Sequence, residues 1–197
     1  MQSWETGGRR FAVAWADVGQ PAQVAPALAA WRSASLAGYV DLAQSVGLDA
    51  RAMLRRAGLS PRSLEDPDTP LSAVAVRALL EESAGASGIE DFGLRMASRR
   101  QFASLGPISL VLKDEPTARA ALDTLCRYLR LLNASLLTRV EDHGPLVIIR
   151  EDILVEQSAS TRQSMELAVG VMYRILRELL GQPWKPVRVC FKHRPPH

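Results

Sequence analysis

The chain has 197 residues, with 24 basic and 21 acidic side chains, a formal net charge of +3, and hydrophobic residues at 47%. This is ordinary globular usage, enough for one domain with a core and incompatible with disorder of the whole. The longest charge-free stretch near the N-terminus, Val18 to Trp31, holds two prolines and two glutamines, so no transmembrane helix is expected there; the start Met1 to Glu5 lacks the basic segment of a signal peptide, and Asp17 cuts off the apolar stretch Phe11 to Trp15 well short of signal-peptide length. The expectation is a cytoplasmic protein without a membrane partner, its two cysteines Cys126 and Cys190 reduced.

Basic residues other than Lys113, Lys185 and Lys192 are arginines, spread from Arg9 to Arg194 with small clusters at Arg51/Arg55/Arg56 and Arg99/Arg100. Dispersed arginines without a long basic run read as a solvated surface rather than a phosphate footprint.

Residues 1–35, with Gly7-Gly8 and Gly19-Gln20-Pro21, read as a flexible arm with one weak helical turn near Ala25 to Trp31. A domain is then expected over residues 36–197. Leu36, Tyr39, Val40, Ala43 and Val46 recur at helical spacing and Gly47 stops them. Asp49 is placed to cap a short second helix through Met53, Leu54 and Ala57 that ends at Gly58, and Leu64 to Pro70 reads as a loop. Ser72 caps a third helix with Val76, Leu79, Leu80 and Ser83 inside, closed by Gly85 and Gly88.

Phe92, Leu94 and Met96 fall in a segment of undetermined type, and a helix is expected after Pro107, ending before Lys113-Asp114. Thr117 opens an amphipathic helix through Ala118, Ala121, Leu122, Leu125, Cys126, Leu129 and Leu132. The period then drops to two, and Leu136 to Val140, the turn Asp142-His143-Gly144-Pro145 and Leu146 to Ile149 predict a β-hairpin. Ser160 and Gln163 have capping-box spacing ahead of the longest helix, which carries Met165, Val169, Met172, Ile175 and Leu179 and stops at Gly181. Val187, Val189 and Phe191 alternate in a last strand ending at Pro195-Pro196. The fold class is α+β: N-terminal helices, then a small, mainly antiparallel sheet packed against two long amphipathic helices. Three strands look incomplete for that many helices.

Chemistry is sparse. No nucleophile elbow, Ser-x-x-Lys pair or phosphate-binding glycine cluster is present, so neither an enzyme nor a cofactor is expected. Cys126 reads as core filling, and Cys190 and His193 fall on opposite faces of a strand, unable to share a metal ion. His143 reads as a solvated turn residue, and the acidic pairs Glu81-Glu82 and Glu151-Asp152 as solvated surface. An apolar pocket is expected between the sheet and the Ser160 to Leu180 helix, near Tyr128 and Met165. An alternative is DNA binding: residues 42–57, Leu42 to Ala57, have helix-turn-helix spacing and would set Arg51, Arg55 and Arg56 against phosphates.

Several segments together resemble a known family. These are Gly47-Leu48-Asp49 with Leu54; Asp91-Phe92-Gly93-Leu94-Arg95; Leu105-Gly106-Pro107-Ile108; Thr117, Ala118, Ala121, Leu122 and Tyr128; Arg162 with Glu166; and Pro186 through Pro195. In order and spacing they resemble the N-terminal arabinose-binding-type, effector-sensing domain of AraC-family transcriptional regulators. The resemblance implies a non-catalytic domain that senses a small-molecule effector of unknown class and self-associates, here as a homodimer. It implies DNA contact only through a separate C-terminal helix-turn-helix domain absent from this chain. It also implies that the sensor domain continues past His193-Arg194-Pro195, so that the last strand is left with an unpaired edge. It assigns no ligand contact to any residue.

Overall fold

The computed structural model describes residues 10–15, 30–154 and 160–194. Strand β1 is Arg10–Trp15 and β2 is Ala30–Arg32; a 3-10 turn at Ser33–Leu36 leads into α1, Tyr39–Ser45, and α2, Ala50–Arg56. Then come β3, Pro70–Ser72; α3, Ala73–Ser87; α4, Phe92–Arg99; α5, Ile108–Asp114; and α6, Ala118–Leu132. The hairpin strands are β4, Leu136–His143, and β5, Leu146–Ile153, followed by α7, Arg162–Leu180, and β6, Arg188–Cys190.

The expected caps form. Asp49 accepts from the Arg51 and Ala52 amides, Ser72 from Ala75 and Thr117 from Ala120, each satisfying an otherwise unpaired amide of a first turn. Gly47, Gly88 and Gly144 take the positive φ their turns require. The capping box at Ser160 and Gln163 does not form. Thr161 occupies the cap position without a side-chain bond, and Gln163 is instead buried. Its amide donates to Glu90 O at 2.8 Å and accepts from Gly93 N at 2.8 Å, while Glu81 Oε1 receives Gln163 N at 2.9 Å. Gln163 thus joins α7 to the start of α4, and Glu81 caps α7 rather than facing water.

The class α+β holds, but the sheet is not mainly antiparallel. Among the described residues the larger sheet runs β4-β5-β1-β6, antiparallel between β4 and β5 and parallel from β1 to both β5 and β6; β2 and β3 form a separate antiparallel pair. The strand that completes it comes from the supposed arm. Arg10–Trp15 pairs Ala12 with Ile148 on one side and with Arg188 on the other. A strand flanked on both sides reads as a near-continuous apolar run, so Phe-Ala-Val-Ala-Trp carries no alternation by which sequence would announce it. The helical turn expected over Ala25 to Trp31 lies outside the described residues up to 29, and Trp31 itself is in β2; Pro195-Pro196 also lie outside them.

The core is continuous from Phe11 to Leu179. α6 turns Ala118, Ala121, Leu122, Leu125 and Leu129 inward, each leucine contributing about 1.5–3 kcal/mol by leaving water. α7 crosses both the sheet and α4, and its contact with α4 is very close. A Cβ on Gly93 would stand 2.1 Å from Gln163 O, and one on Gly170 would stand 2.5 Å from Ala97 Cβ. The two helices approach to a distance that only glycine allows.

Candidate functional site

Between α6, α7 and the sheet is a cavity of about 80 Å³. α6 contributes Leu125, Leu129 and Leu132, and α7 contributes Leu167, Ala168, Val171, Met172 and Ile175, successive positions of one helical face. Trp31, Arg32, Ala34 and Ser35 line it as well, with Arg100, Ser104 and Leu105 from the connection between α4 and α5; Asn133 after α6, Leu136 of β4 and Glu151 of β5 complete the wall. Tyr128 and Met165 do not line it. Tyr128 points outward from α6, 41% exposed, and Met165 is packed in the core.

The polar residues at the cavity are the ones sequence reasoning missed. Glu151, expected on the surface, is 1% exposed, because β5 continues to Ile153 and its inward positions are Val147, Ile149, Glu151 and Ile153. That alternation was the available signal. The Thr138 hydroxyl donates to Glu151 Oε1 at 3.4 Å, and Oε2 has no hydrogen-bond partner among the described residues. Burial pushes this carboxyl up to about 7, against the smaller opposing effect of Thr138.

Arg100 is 8% exposed and donates Nη1 to Ser35 O at 2.6 Å; its Nε has no hydrogen-bond partner among the described residues. Burial, then the like charge of Arg32, pulls the guanidinium down to about 10. Arg32 donates Nε to Asp68 at 2.7 Å, which ties this part of the wall to the loop before β3. Trp31 donates Nε1 to the buried Ser135 hydroxyl at 2.5 Å and bridges to Asn133, fixing β2 across the end of α6. Gly106, at φ +71°, would bring a Cβ within 3.3 Å of the Arg32 guanidinium, so glycine at this turn leaves room for that side chain.

A second polar cluster lies at the N-terminus of α7. Glu166, fully buried, accepts from Arg162 Nε at 3.2 Å, and His193 Nε2 stands 3.3 Å from the same oxygen. Burial pushes the carboxyl up while Arg162 and His193 pull it down. This cluster fastens the segment after β6 to α7. His193 packs against Phe191, and Cys190 is exposed. Cys126 is half-buried, its thiol pushed up to about 11 chiefly by burial, which keeps it protonated and unreactive at neutral pH. His143 ends β4 beside Glu141.

Helices α1 and α2 form the hairpin seen in sequence, with Leu42, Ala43, Met53 and Leu54 buried. Arg51 and Arg55 stand exposed beside a shallow surface groove, and Arg56 pairs with Glu82 at 3.2 Å. No helix among the described residues is long and apolar enough to cross a membrane.

The family model for the arabinose-binding domain of AraC transcription regulators, N-terminal, matches residues 47–197. The chain belongs to this family. The AraC-type domain is also 30% identical over 165 residues to the HTH-type transcriptional regulator VirS of Mycobacterium tuberculosis, in strains CDC 1551 / Oshkosh and ATCC 25618 / H37Rv. The alignment covers 82% of this chain and 48% of those relatives, so the chain spans about half the length of the curated relatives it matches. The regulatory, effector-binding family expected from the motifs is therefore the right one.

Proposed function

We propose that this domain is the non-catalytic sensor of an AraC-type transcriptional regulator, that its small-molecule effector occupies the cavity between α6, α7 and the sheet, and that it relays occupancy to a DNA-binding segment in the part of the regulator this chain does not span. The observation that carries this reading is an apolar cavity whose wall holds two buried, incompletely bonded ionisable groups, Arg100 and Glu151. Such groups are costly without a partner and are retained where a ligand supplies one. Among the described residues no cluster of nucleophile, base and orienting group accompanies them, and the family is regulatory. Self-association belongs to the same proposal, supported by Leu110 on α5 and Leu131 on α6, 68% and 71% exposed.

Thermal-shift screening of small acids, amino acids and sugars tests the sensor. A ligand bound only to the native state at 100 times its Kd adds about 2.7 kcal/mol, roughly 5–10 °C in a chain of this size. Ala168→Leu, which fills the cavity, removes the protection. Protection that survives Ala168→Leu, or turnover of a bound compound, overturns the proposal.

A further inference from the structure

The two buried charged groups of the cavity wall, Arg100 and Glu151, form no ion pair with each other among the described residues. Burial and Arg32 are what act on Arg100, whereas burial and the Thr138 hydroxyl are what act on Glu151. Around Arg100, two guanidinium groups meet, and the carboxylate present, Asp68, is bonded to Arg32. Arg100 therefore holds a nine-tenths buried positive charge whose hydrogen-bond partner is a neutral carbonyl, with Nε left over. Much of the remaining wall is hydrocarbon, notably Leu129, Val171 and Met172.

Resting on the sensor reading above, the geometry points to a small organic monocarboxylate with an apolar body as the effector, its carboxylate on Arg100 and its hydrocarbon against Leu129, Val171 and Met172. A carboxylate supplies both the missing acceptor for Nε and the missing counter-charge, in the planar geometry a guanidinium prefers. Phosphate would meet the charge but leave the apolar wall uncovered. A sugar would set hydroxyls against leucines, where they cannot hydrogen-bond. An α-amino acid would bring its ammonium next to two guanidinium groups, Arg100 and Arg32. Size limits the class further. A cavity of about 150 Å³ takes benzene, so 80 Å³ suits a short acid on the scale of butyrate or isovalerate, part of its chain reaching the open side, rather than a long acyl chain.

Calorimetric titration of the 197-residue protein with butyrate, isovalerate, isovaleramide and valine tests this without needing any variant. Isovalerate is expected to bind at least tenfold more tightly than its neutral amide, which keeps shape and loses charge, and more tightly than valine. Arg100→Gln is expected to erase the preference for acid over amide, and Ala168→Leu to abolish binding of both. Equal affinity for acid and amide overturns the carboxylate class, and tighter binding of valine overturns the simple acid in favour of an amino acid; both leave the sensor reading standing. Failure of both acids to bind at millimolar concentration overturns the class as well. Acid binding that survives Ala168→Leu places the site elsewhere and overturns both.

Discussion

Replacing Glu151 by Gln should make the domain more stable at pH 8 and leave it nearly unchanged at pH 5. The native carboxyl ionises near 7 against a reference of 4.5, because it is wholly buried behind β5. Between these values the native state holds a proton that the unfolded chain has released, so stability falls as pH rises from about 4.5 to 7 and is level above that. At 1.36 kcal/mol per pH unit the native state loses about 3 kcal/mol across this window. The glutamine side chain of Glu151→Gln has nearly the same shape and never ionises; its amide can still bond the Thr138 hydroxyl. Urea unfolding of both proteins at pH 5, 6, 7 and 8 isolates the effect, since every other titrating group, including Glu166, is common to both. The difference should be within about 1 kcal/mol at pH 5 and grow to about 3 kcal/mol at pH 8. Parallel stability curves from pH 5 to 8 would refute the assignment of a neutral, buried Glu151.

Gly93→Ala should cost about 3 kcal/mol, the upper end of the usual overpacking range, read as a lower urea midpoint, because the new methyl meets backbone at Gln163 rather than a side chain that can move. On the proposed reading, Arg51→Ala, Arg55→Ala and Arg56→Ala combined should leave any gel shift on DNA unaltered at 50 and 200 mM salt, since the hairpin spends its apolar face on the core of this domain; a lost shift or a reduced salt slope would return the helix-turn-helix reading. On the proposed self-association, light scattering over a concentration series should show a dimer that Leu110→Glu with Leu131→Glu converts to a monomer, with the thermal midpoint unchanged within a few degrees.

What the sequence determined alone is what local physics determines. The caps at Asp49, Ser72 and Thr117 and the buried stripe of α6 are set by residues within four positions of each other, and the β4–β5 hairpin by a two-residue period around Gly144. The family motifs were legible for the same reason, several of them marking such turns and caps. Tertiary structure decided the rest. β1 is a strand because β5 and β6 flank it, with Phe11 opposite Val147 from far along the chain, and no local signal encodes a parallel partner that distant. Gln163 had capping-box spacing, yet the buried Gly93 amide and Glu90 carbonyl offered it stronger bonds in a dry interface than its own helix end did. Arg100 and Glu151 look like surface charges one at a time. Only the packing of α6 and α7 over the sheet removes them from water, and that desolvation is what turns two ordinary residues into a candidate binding site.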